Sequence, residues 1–114
     1  MSNLLVNMRD QHFVLFEQLG IDKLFETDKY SAFSKDDVLM MLNEAEKLSV
    51  NVLAPINAEG DHQGCTFKDG KVTVPEGFHN AFKLFVEAGW LCCMRSPEVG
   101  GQGMPAVMSN ACME

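Results

Sequence analysis

Three histidines, four cysteines and sixteen acids are the side chains of this 114-residue sequence that could do acid–base, nucleophilic or metal chemistry. His12, His62 and His79 lie far apart, and none stands in zinc-ligand spacing with a cysteine pair, so no metal site is expected. Cys92 and Cys93 are adjacent while Cys65 and Cys112 stand alone. Without a CxxC pair they are read as reduced packing thiols. Asp61-His62 lacks a nucleophile motif such as GxSxG, and neighbouring residues seldom face each other; the pair is read as a solvated loop. Glu76, Glu98 and Glu114 are of a type suited to acid–base catalysis but are read as structural or solvated, Glu98 as a loop residue whose carboxylate meets backbone N–H groups. Gly101-x-Gly103 ahead of a helix could hold an anion on free amides. It lacks the third glycine, the preceding strand and the later acid of a dinucleotide fingerprint, and is read as a packing corner. No catalytic, cofactor-binding or metal residue is assigned.

The elements that must position these residues follow from hydropathy and punctuation. Phe13, Val14, Phe16 and Leu19 mark an amphipathic helix over 10–19 that Gly20 can end, and Ile21, Leu24 and Phe25 mark a second, short one. Ser34 with Asp37 forms a capping box, and Asp36 and Asp37 sit at the positive end of the helix dipole. From there Val38, Met41, Leu42, Ala45, Leu48, Val52 and Leu53 recur at helical spacing, which predicts the principal helix. Pro55 removes a donor and crowds the preceding turn, so a bend or end is expected there. Asp69-Gly70 between Cys65-Thr-Phe-Lys and Lys71-Val-Thr-Val predicts a β-hairpin over about 65–74 with a two-residue turn.

Beyond Pro75, the residues Phe78, Ala81, Phe82, Phe85 and Val86 predict a helix whose aromatic stripe is core. Gly89 can end it in the left-handed conformation. Trp90, the one tryptophan, is expected to be buried against Phe82, Phe85 and Val86. Gly100, Gly101 and Gly103 make a side-chain-poor corner, and Pro105 suits the first turn of a last helix. That helix carries Val107, Met108, Ala111 and Cys112 and reaches Glu114 with no closing signal, so the chain reads as a truncation. The fold class is mostly α with one small hairpin.

The ordered blocks "FVLFEQLG", "LAPINAEGDHQG", "GKVTVPEGF", "EAGW" and "PEVGGQG" resemble the amino-terminal helical domain of the flavin-dependent acyl-CoA dehydrogenases, in the longer bacterial branch with an extra amino-terminal helical segment. The resemblance covers nearly the whole chain. It implies an extension over 1–34 and the family's amino-terminal domain over 35–114, and puts the end of the principal helix near Asn57. It also implies an FAD enzyme that oxidises acyl-CoA thioesters at the α,β bond, passes electrons to an electron-transfer flavoprotein and forms a homo-oligomer. The flavin-binding region and the catalytic carboxylate belong to domains outside this sequence, so the chain alone is expected to be inactive and not to bind FAD. Met104, Met108 and Cys112 are the candidates for a substrate wall, since in relatives this helix approaches the acyl cavity. Cys92-Cys93 departs from the small residues usual there. The rival reading is a non-enzymatic helical interaction module that keeps the ancestral fold.

Composition bounds the rest. Nine basic against sixteen acidic residues give a net charge of −7, without a basic cluster, which argues against nucleic acid as partner. No signal-peptide pattern or apolar run of spanning length occurs, so a soluble, cytoplasmic protein is expected. The last helix, parted from covering domains, is expected to expose Val107, Met108 and Cys112 and drive self-association.

Overall fold

The computed structural model describes residues 4–114. It is mostly helical, with one two-stranded antiparallel sheet. Helix α1 (Met8–His12) opens on Asn7, whose side chain accepts from the amides of Arg9 and Asp10, and continues as a π-helical turn over Phe13–Gln18. Gly20, at φ 60°, breaks the helical path and starts the 3₁₀ segment Ile21–Glu26. The expected capping box is formed at α2 (Lys35–Leu48): the amide of Ser34 donates to Asp37 Oδ2 at 2.7 Å and the amide of Asp37 to Ser34 Oγ at 3.3 Å.

The principal helix does not end near Asn57. It widens into a π turn over Ser49–Leu53 and runs on as α3 (Ala54–Gln63). The cause is Pro55, whose ring would press on the carbonyl four residues back in a regular α-helix. In the π turn the amide of Ala54 reaches the more distant carbonyl of Ser49, and Pro55 falls in the first turn of α3, where a missing N–H costs nothing. Asp61 and His62 thus sit in the last turn of α3, not in a loop. The hairpin is as expected: β1 (Thr66–Lys68) pairs with β2 (Lys71–Thr73) in the register Phe67↔Val72, around Asp69 and Gly70 at φ 52° and 75°.

Helix α4 (Glu76–Glu87) crosses α3 at close range. A Cβ on Gly60 would lie 2.4 Å from Cε1 of Phe78, and one on Gly77 3.1 Å from Cγ2 of Ile56, so glycine on each helix admits the other's side chain. The final helix α5 (Ala106–Met113) packs on α2. One core joins Leu15 and Ile21 from the first elements, Val38, Leu42 and Ala45 from α2, then Trp90, Cys93, Met104 and Met108. Residues on both sides of position 34 therefore share it. Lys35 Nζ, 4.6 Å from the centroid of Phe16, closes the seam between α1 and α2.

The molecule is a slab of 54 × 38 × 17 Å, with a radius of gyration of 16.9 Å. A compact domain of this length has about 13 Å, and the short axis is about two packed helices deep. One layer of core is all such a slab can hold. The aromatic stripe of α4 consequently departs from expectation: Ala81 is buried and Phe85 leans on the core, but Phe78, though its ring edge reaches Gly60 of α3, is 38 % exposed, and Phe82 and Val86 are exposed away from the core.

Candidate functional site

Gly89 takes φ 83° after α4 and leads into the short 3₁₀ turn Trp90–Cys92. That geometry swings the indole inward, and Trp90 is 8 % exposed. Its burial is as expected but its company is not: Phe85 alone of the three α4 residues packs on the core that contains it. The side-chain amide of Gln102 donates to the carbonyl of Gly89 at 3.2 Å and clasps the helix end to the glycine loop.

The loop itself is held by its own backbone. The amide of Met104 donates to Cys93 O at 3.0 Å, Gly103 to Arg95 O at 2.8 Å, and Gly101 to Ser96 O at 3.0 Å. Val99 and Gly100 donate to Ser96 O and Pro97 O at 3.0 and 3.1 Å, while Ser96 Oγ accepts the amide of Glu98 at 3.3 Å. The capping residue is thus Ser96, and the side chain of Glu98 is not what closes the turn. A Cβ on Gly101 would sit 1.9 Å from the carbonyl oxygen of Arg95, so two backbone strands touch where only hydrogen fits. With these amides turned into the loop, it is a packing corner and not an anion cradle.

The corner delivers α5 into the core. Met104 and Met108 are 3 % and 0 % exposed, Pro105 and Ser109 are buried, and Val107 and Cys112 are half-buried. Ser109 Oγ lies 3.3 Å from Cys93 Sγ. Gln11 Nε2 donates to Ala111 O at 3.1 Å and to Glu114 Oε2 at 3.2 Å, tying the last turn to α1. The expectation that α5 leaves Met108 uncovered is therefore overturned: it lies in the core with Val38, Leu42 and Ala45 of α2. Of the three wall candidates, Met104 and Met108 can only back a wall from within. Cys112, with Met8, Leu42 and Ala45, lines a cavity of about 260 Å³ between α1, α2 and the end of α5. Burial pushes its thiol up to about 11, and neighbouring Cys93 adds to the shift. Cys112 is accordingly a neutral, unreactive thiol near pH 7.

A second concavity, about 540 Å³, opens between α3 and α4 and is walled by Leu53, Ile56, Val74, Phe78, Phe82 and Phe85. Among the described residues no three His, Cys, Asp or Glu side chains are placed to hold a metal ion, and no described helix is long and apolar enough to cross a membrane. His12 meets Phe16 edge-on, with centroids 6.5 Å apart, and its Nε2 is buried without a hydrogen-bond partner. The clasps of Gln11 and Gln102 and the caps of Asn7 and Ser96 escaped sequence reasoning. Asn7 and Ser96 do carry a signal, being residue types suited to accept the first free amides of a turn.

Fold and corner together define a mostly α domain that buries its last helix and presents an apolar face on α4. No protein-family model matches the chain. Among curated proteins it is 36 % identical over 107 residues, 92 % of its length, to a broad-specificity linear acyl-CoA dehydrogenase of Mycobacterium tuberculosis. It is 34 % identical over 85 residues, 75 % of its length, to a 3-methylmercaptopropionyl-CoA dehydrogenase of Ruegeria pomeroyi. To a butyryl-CoA dehydrogenase of Syntrophomonas wolfei it is 38 % identical over 92 residues, 77 % of its length. The chain belongs to the acyl-CoA dehydrogenase family and spans 14 to 18 % of the length of these relatives.

Proposed function

We propose that this chain is the amino-terminal helical domain of an FAD-dependent acyl-CoA dehydrogenase, with residues 1–34 as its extension. In the whole enzyme it covers one side of the flavin and thioester site, excludes water and helps shape the acyl cavity. The observation that carries this reading is the match over 92 % of the chain to a linear acyl-CoA dehydrogenase. In that setting the reaction is removal of hydrogen across the α,β bond of an acyl-CoA, with an electron-transfer flavoprotein as acceptor and the cytoplasm as compartment.

The residues of this chain do not fit a flavin of their own. The glycine corner, the segment best suited to a pyrophosphate, spends the amides of Gly100, Gly101 and Gly103 on internal carbonyls. The part left to the chain is shape. Met104 and Met108, flexible and polarizable, back the wall from the core, and Cys112 stands at a cavity edge.

The test is purification of the chain with added FAD, followed by dye reduction with short, medium and 3-methylthio-substituted acyl-CoA. A colourless protein with activity at blank is expected. Co-expression with the rest of a family enzyme that lacks its own first domain should then raise turnover above the truncated enzyme alone. Stoichiometric flavin on the isolated chain, or no gain on co-expression, would sink the reading.

A further inference from the structure

Helix α5 is bedded at its start and pegged at its end. The glycine corner delivers its first turn, with the amide of Met104 donating to Cys93 O at 3.0 Å, and Met108 one turn on is wholly buried. The last turn has a different setting. It borders the cavity of about 260 Å³ whose walls include Met8, Gln11, Leu42, Ala45, Ala111 and Cys112. Close packing is what normally holds a helix turn in place, so space beside it is room for the turn to move.

Gln11 stands across this gap. Its Nε2 donates to Ala111 O at 3.1 Å and to Glu114 Oε2 at 3.2 Å, joining residues 100 and 103 positions apart. A carbonyl oxygen has two lone pairs, so the first bond adds to whatever the helix itself makes there. The peg has a firm base. Asn7 caps α1, and the π turn that follows puts Leu15 in the core and Phe16 under the ammonium of Lys35. Cys112 is next to the anchored carbonyl, so one glutamine side chain governs how Cys112 stands over Leu42 and Ala45 of α2.

We propose that Gln11 is a positioning residue: it holds the last turn of α5 off the cavity and so fixes the Cys112 end of the acyl wall. The acyl part rests on the function proposed above, whereas the positioning itself does not. Gln11 touches no substrate and takes no part in the chemistry. Without its two bonds the last turn settles toward α2 and Cys112 becomes mobile. The wall then draws back and leaves room for a longer acyl chain.

Two variants test this. Gln11→Met keeps length, shape and helix propensity but cannot donate, and Gln11→Lys restores a donor of similar reach. The first arm is maleimide labelling of the full chain, read by peptide mapping. Cys112 should label about fivefold faster in Gln11→Met, the size of one lost hydrogen bond, and near the wild-type rate in Gln11→Lys. Cys93, 3 % exposed in the same core, should keep its wild-type rate, because mere loss of stability would expose both thiols alike. Equal acceleration of Cys93 and Cys112, or none of Cys112, overturns the positioning role. The second arm uses the chain co-expressed with the rest of a family enzyme. There kcat/KM for octanoyl-CoA relative to butanoyl-CoA should rise by at least about threefold in Gln11→Met and return in Gln11→Lys. A ratio that stays or falls, in an enzyme that the wild-type chain does activate, overturns the acyl part alone. No activation by the wild-type chain sinks the function proposed above and the acyl part with it, while the labelling arm still decides the positioning.

Discussion

Replacing Met108 by alanine should cost the domain about 3 kcal/mol, within the range of about 2–5 for losing a buried methionine side chain. Met108 is wholly buried and belongs to the core with Val38, Leu42, Trp90 and Cys93. The slab has one core layer, so little can move in to refill the space left by three heavy atoms. For a chain of this length the unfolding entropy is about 0.24 kcal/mol/K, which turns 3 kcal/mol into a fall in Tm of about 12 °C. The internal control is Met113→Ala. It makes the same chemical change on the same helix, at a residue 47 % exposed, and should stay within about 0.5 kcal/mol or 2 °C. Thermal melts by circular dichroism at equal concentration give both numbers. The small gain in helix propensity on going to alanine is common to the pair. If the two variants melted within about 2 °C of each other, α5 would not be packed inward.

Trp90→Ala should cost about 3–5 kcal/mol, much of the ~5–15 available to a domain. Native fluorescence should be blue-shifted and resist iodide, and water-like emission would contradict its burial. Gly101→Ala forces a Cβ against Arg95 O and should destabilise more than Gly100→Ala, which is strained at φ 85° but meets open space at about 1–2 kcal/mol; equal melting temperatures would refute the close approach. Cys112, its thiol raised from 9.0 to about 11, should hold about 100-fold less thiolate near neutral pH than an ordinary cysteine. Iodoacetamide followed by peptide mapping should label exposed Cys65 and Cys92 first, and equal labelling of Cys112 would count against its burial. Because the folded thiol holds its proton more tightly than the unfolded one, its contribution is intact below pH 9.0 and is lost as pH rises toward about 11. For a half-buried group, screening reduces that to on the order of 1 kcal/mol.

Local devices were the legible part of this sequence. The Ser34–Asp37 box, the Asp69-Gly70 turn, and the corners at Gly89 and Gly101 are each set by a few neighbouring residues, and each stands as expected. The path past Pro55 was misjudged because the relief is also local but quiet: a single π turn needs no marker residue. Which apolar stripe becomes core was not legible. The stripes of α4 and α5 read alike in one dimension, yet Met108 is buried and Phe82 is open. What decides is the layer each helix meets, and that depends on contacts such as Gln11 with Ala111, made between residues at opposite ends of the chain.

Those end-to-end contacts also bear on the division at position 34. Leu15 and Ile21 reach the core beside Met104 and Met108, so the first elements close the very layer into which the last helix folds. Fully burying an aliphatic side chain is worth about 1.5–3 kcal/mol, and two of them amount to a large share of a marginal domain's stability. The segment that carries Leu15 and Ile21 is on these grounds a structural part of the fold. The α2–α3 rod, interrupted by its π turn, then connects two unlike surfaces. Its first half, through Val38 and Leu42, is buried against α5, and its second half, through Ile56 and Gly60, carries α4 out on the open face. A domain built this way keeps its core intact while its α4 face stays open.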